Sequence, residues 1–191
     1  MNKAAYGNLS EDSPVPVTLG DFLPDTRKLG QGLIVNQKGW ETVLADNQQS
    51  FAAEFVQRGR FVSAYPATMT PAAFVNRLFA NAGVTPSADE RAAAVAEFSG
   101  AGDTANVEAR ARALRDVAGN ETLGRQEFNR AFVLMEYFGY LQRNANDPPD
   151  GNFAGYNYWL AKLNSFGGDY RTAEMVKAFL ASTEYRKRFG Q

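Results

Sequence analysis

The sequence predicts an all-α fold, a multi-helix array of about three related helical units behind an irregular Pro/Gly-rich N-terminal arm. Three observations carry this. Apolar residues recur at three- and four-residue spacing from about residue 70 onward. Capping signals stand ahead of several of those runs. One set of aromatic anchors returns at the same offsets in different parts of the chain.

In the arm, Pro14, Pro16 and Pro24 predict irregular or extended backbone over residues 7–24, because proline brings no N–H to a helix. Gly30-Gln31-Gly32 punctuates the chain again. From Gly39 a helical pattern runs through Trp40, Val43, Leu44, Phe51, Phe55 and Val56 up to Phe61 and Tyr65. Thr70-Pro71 reads as N-cap and first helical position, followed by Phe74, Val75, Leu78, Phe79 and Ala82, with Gly83 as the stop. Ser87 and Glu90 fit a capping box opening a helix that continues through Val95 and Phe98 to Gly100. Asp103 or Thr104 is the expected cap of the next helix. It turns Val107, Ala111, Leu114 and Val117 inward and keeps Arg110, Arg112 and Arg115 nearer solvent, ending at Gly119-Asn120.

A longer helix is predicted over residues 122–141. Phe128, Phe132, Met135 and Phe138 lie three or four apart, and Leu134, Tyr137 and Leu141 widen the apolar face, as a central helix requires. The Asn-, Asp- and Pro-rich loop over residues 143–152 ends it. Helices over residues 153–164 and 169–182 follow, split by Phe166-Gly167-Gly168, and a short terminal helix carries Tyr185 and Phe189.

The anchors align. Phe55-Val56 leads to Phe61 as Phe179-Leu180 leads to Tyr185, Trp40 precedes Leu44 as Trp159 precedes Leu163, and Phe74-Val75 with Phe79 matches Phe132-Val133 with Tyr137. Ala5-Tyr6-Gly7 matches the end of the same opening helix. The predicted units are residues 1–66, 67–125 and 126–191, packed as one continuous body, since a lone repeat cannot bury its own face.

The third unit carries Phe132-Val133 with Tyr137, Leu141-Gln142-Arg143, Gly155-Tyr156-Asn157-Tyr158-Trp159-Leu160, and Phe179 with Ser182, Glu184 and Tyr185. Over these residues it resembles the helical bacterial family catalogued as domain of unknown function 4214. Gln142 departs from that family's Leu-Gly-Arg pattern, and the loop leading to Gly155 is longer. The stretch from Ser182 to Phe189 is also similar to the helical repeat of phycobilisome rod linkers, which assemble other proteins. The resemblance implies a non-catalytic interaction or assembly module near the C-terminus of a secreted or cell-surface bacterial protein. Its implied partners are upstream domains of the same polypeptide, another surface protein, or a second copy of the chain. Residues 1–7 have one lysine and no apolar run, so they do not read as a signal peptide, and a piece of a longer exported chain is expected.

Composition narrows the chemistry. With no His and no Cys in 191 residues, Ser-His-Asp and Cys-His nucleophiles and Cys/His zinc sites are excluded. A net charge of -1 argues against nucleic acid as a partner, and no apolar run approaches membrane-spanning length. No cofactor is expected. Gly30-Gln31-Gly32 begins a dinucleotide fingerprint but has Val35 where the third glycine belongs.

Asp147 and Asp150 are the weak candidates for a cation. An EF-hand template begun at Asn146 fails at Pro148 and Asn157, and a turn capped by Asx side chains is the favoured reading. Glu136, in an apolar stretch, is the one candidate acid for a carboxylate-only hydrolase, and no second carboxylate can be placed opposite it. Tyr156, Tyr158, Trp159 and Phe166 suggest the alternative of a carbohydrate-binding module, with Trp159 read as core. The expected interaction surface comprises Tyr6 and Phe22, near Ala4 and Ala5, with Tyr156 and Tyr170 facing solvent. Of the two glycosylation-type triplets, Asn8-Leu9-Ser10 and Asn120-Glu121-Thr122, the second is better explained by Asn120 as a helix boundary.

Overall fold

The computed structural model describes residues 1–190, and every regular element among them is helical. Helix α1 (Asn2–Tyr6) is followed by the arm and by α2 (Leu19–Leu29), which opens on Thr18, whose hydroxyl accepts the Asp21 N–H at 3.2 Å. The expectation that residues 7–24 are irregular holds only as far as Thr18, because Pro24 lies inside α2. The missing Pro24 N–H would have bonded the carbonyl of Gly20, a residue with no side chain to crowd the ring. The helix is secured instead by the Thr18 cap, by Phe22 against Phe138 at 5.3 Å, and by the Asp25–Arg58 ion pair at 2.6 Å.

Helix α3 (Trp40–Phe55) starts after Gly39, whose φ of 88° suits glycine, and α4 (Gly59–Ala64) follows after a short turn. Helix α5 (Pro71–Ala82) has the expected Thr70 cap and Gly83 stop, and α6 (Ala88–Ala96) has the full Ser87–Glu90 capping box. Helix α7 (Val107–Ala118) is capped by Asn106, whose side chain accepts the Ala109 N–H at 2.8 Å, rather than by Asp103 or Thr104. Thr104 is buried and donates to the Ala67 carbonyl, while Asp103 closes its own turn at Ala105. Asn120 caps α8 (Glu121–Glu136), which runs on into a π-helical turn over Tyr137–Leu141. Helices α9 (Ala154–Ser165), α10 (Met175–Ala181) and α11 (Thr183–Phe189) complete the chain. Residues 169–174 form turns instead of the first half of a longer helix: Asp169 accepts the N–H groups of Arg171 and Thr172, and Glu174 takes a φ of 52°.

The apolar residues gather into two cores. The first joins Ala4 and Ala5 of α1 to Phe51, Phe55, Phe61, Tyr65, Phe74, Leu78, Leu114 and Val117, and ends at Leu123 of α8. The second joins Val133, Leu134, Tyr137, Phe138 and Leu141 to Tyr156, Leu163, Met175 and Phe179, with Val15 from the arm. Each fully buried Phe or Leu stabilises its core by roughly 1.5–3 kcal/mol. Residues expected in the first two units thus share one core, and the third unit packs with the arm. Helix α8 passes through both and fixes their relative position.

Two side chains on these helices depart from expectation. Arg110 is only 4% exposed, because position 110 lies on the inward face of α7, where its guanidinium donates to the Tyr65 carbonyl at 2.5 Å and lies over the Phe61 and Phe74 rings. Phe128, expected on the apolar face of α8, is 67% exposed, because Leu123, Val133 and Leu134 take the face that enters the cores and the ring joins neither core.

Candidate interaction surface at the seam

Where the arm crosses between the cores, two adjoining clefts open on either side of Phe22. The larger, of about 460 Å³, has Phe22, Leu29, Phe51 and Ala118 as apolar wall and Asp25, Gln48 and Arg115 as polar edge. The second, of about 300 Å³, is floored by Val17, Leu123, Leu134 and Met135, with Lys3, Glu127 and Arg130 lining it. Phe22 lines both, half-buried, with one side of its ring held by Phe138. An apolar floor with a sparse polar edge is the anatomy of a protein-binding or small-ligand cleft.

The acidic groups here are tied up by basic ones. Asp25 receives both terminal nitrogens of Arg58, at 3.0 and 2.6 Å, and Glu127 lies 3.8 Å from Arg130. Hydrogen bonding to Asp25 raises the Arg58 pKa further above its ordinary value. No two free carboxylates face each other across either cleft. Glu136 lines neither.

Of the other predicted site residues, Tyr156 lines the second cleft together with Phe22, while Tyr6 and Tyr170 line neither cleft. Tyr6 is half-buried beneath the Arg60 guanidinium at 3.9 Å, and burial raises its hydroxyl pKa. Ala4 and Ala5 are wholly buried, so they offer no surface. Tyr156, expected to face solvent, is instead 1% exposed: its hydroxyl donates to the Arg130 carbonyl at 3.0 Å, its ring forms part of the second core, and burial pushes its pKa upward. Tyr170 remains on the surface, stacked on Phe132 at 5.0 Å. Trp159 is half-buried against Phe179, and the exposed Tyr158 stands at 77° to it, so the two rings form no common platform for a sugar face.

Asp147 and Asp150 turn toward protein donors. Asp147 accepts the backbone and side-chain N–H groups of Asn144, and Asp150 binds Arg143 at 2.6 Å. Among the described residues, no three acidic side chains converge as a metal site. Gly30-Gln31-Gly32 connects α2 to the turn before α3, with no strand ahead of it. The exposed tip of that turn carries Ile34 and Val35.

Sequence reasoning missed two linkages. One is the Asp25–Arg58 pair, whose members stand 33 residues apart without a local signal. The other is Arg143, which donates to Glu184 at 2.7 Å and to the carbonyls of Asn144 and Asp147 at 3.0 and 3.1 Å, joining the loop to α11. Comparison of the chain with protein-family models, with curated proteins and with solved structures finds no match.

Proposed function

We propose that this chain is a non-catalytic protein-interaction or assembly module of a secreted or cell-surface bacterial protein. The observation that carries the reading is the Phe22 seam: adjoining apolar clefts whose acidic groups are already paired with basic neighbours. Such a surface suits an apolar anchor from a protein partner and supplies no acid and base pair for hydrolysis. The exported, surface-attached setting rests on the family resemblance of residues 126–191.

The test is a photocrosslinking amino acid placed at position 22 of the protein in its native cell, with position 125, on an exposed part of α8, as the control. A discrete protein adduct from position 22, absent at 125, is the expected result. Equal labelling at both positions would overturn the reading. Binding to a polysaccharide that is lost in Tyr158→Ala would favour the carbohydrate alternative.

A further inference from the structure

Glu136 closes α8 and is 5% exposed. Its Oε2 is buried and meets no hydrogen-bond donor. Phe132 and Tyr140, four residues to either side, share its helical stripe. Both grip the C-terminal segment: Phe132 stacks on Tyr170 at 5.0 Å, and Tyr140 meets Tyr185 edge-on at 6.0 Å. The carboxyl therefore belongs to the stripe that holds residues 170–185 against α8 and its π-turn.

The charged groups on the surrounding elements are engaged elsewhere. On α9, Lys162 lies over the Trp159 ring. Before α10, Asp169 accepts from Thr172, Arg171 donates to the Tyr170 hydroxyl, and Glu174 pairs with Lys177. On α11, Glu184 holds Arg143 and is approached by Arg188 at 3.8 Å, while Arg186 and Lys187 are exposed. On α2, Asp21 accepts from Thr18. The titratable neighbour within the stripe is Tyr140, whose ionisation a charge on Glu136 opposes.

We propose that Glu136 is a proton-operated latch: its neutral form lets the segment carrying α10 and α11 lie on the end of α8 and its π-turn, and its ionisation loosens that segment and uncovers the Phe132–Tyr140 stripe. An ionised carboxylate without a partner is costly to bury, whereas the neutral acid is tolerated. Burial pushes the Glu136 carboxyl from its ordinary 4.5 up to about 7. Below pH 4.5 the closed and open forms are both protonated and pH has no effect through this group. As the pH rises from 4.5 toward 7 the open form ionises first, so closure weakens by up to about tenfold per pH unit. Above 7 both forms are ionised and the loss levels off.

Hydrogen exchange, corrected for the intrinsic pH dependence of the chemistry, tests this in the full chain. Between pH 5 and 7 the protection of α10 and α11 amides is expected to fall roughly fortyfold relative to those of α5 and α7, and to stay flat in Glu136→Gln. The same fall in Glu136→Gln, or an equal loss in both cores, would overturn the latch. Should that variant not fold, carbon-detected titration of the wild-type carboxyl decides: a midpoint near 7 supports the proposal and one near 4.5 sinks it.

Discussion

Arg110 in the first core and Arg143 in the second are both buried, yet different partners satisfy them. Arg110 has no carboxylate. It donates to the carbonyls of Tyr65 and Thr104 and lies over the Phe61 and Phe74 rings, and burial lowers its pKa. Burial also pulls down on Arg143, but hydrogen bonds and attraction from Glu184 and Asp150 outweigh it and leave the pKa raised. The first arginine fastens backbone to backbone through neutral acceptors. The second fastens a loop to a helix through ion pairs that stay within reach of solvent. Salt and substitution should therefore act on the second core more than on the first.

The largest expected effect comes from Arg143→Leu, which takes the buried cation from the partly exposed Glu184 and Asp150 and the donor from the Asn144 and Asp147 carbonyls, and should destabilise the second core by roughly 2–3 kcal/mol. Urea unfolding followed by Trp159 fluorescence, in a Trp40→Phe background, would read it. A first core that loses stability equally would show that the two unfold as one, and the comparison would collapse. Arg110→Leu should cost about 2 kcal/mol, since it orphans two carbonyls without stranding a charge. Unlike the Arg143 effect, this loss should be unchanged in 1 M salt. Strong salt dependence would mean that an ionic partner had been overlooked. Smallest is Phe128→Ser, expected within about 0.5 kcal/mol of wild type by thermal unfolding, because the ring packs on neither core.

Local chemistry was the legible part of the chain. Thr70-Pro71, Ser87 with Glu90, Gly83 and Asn120 mark helix ends by hydrogen bonds that close within three or four residues, and each stands where its sequence signal placed it. Rotation about a helix axis was less legible. Periodicity identifies an apolar stripe, but whether Arg110 or Phe128 falls inside it depends on neighbours far away in sequence. Tyr156 shows the limit at the candidate site, because its aromatic run reads equally as platform or core until the Arg130 carbonyl supplies a partner for its hydroxyl. Pro24 misleads for a related reason, since tertiary contacts of Phe22 and Asp25 override a local helix breaker. The seam clefts had two foreshadowed residues, Phe22 and Tyr156, and no motif, because they are made where segments distant in sequence meet.

The arm has a practical bearing on how the chain can be dissected. Leu9, Val15, Val17, Leu19 and Phe22 cover the second core, while Ala4 and Ala5, a few residues earlier, belong to the first. The Leu19 N–H also bonds the Asn144 side chain at 2.8 Å, 125 residues away. A cut near residue 125, where the repeat pattern invites one, would leave the family-like third unit with a bare apolar flank. Fusing residues 8–29 back onto that unit by a short linker would restore the flank and yield the smaller soluble piece.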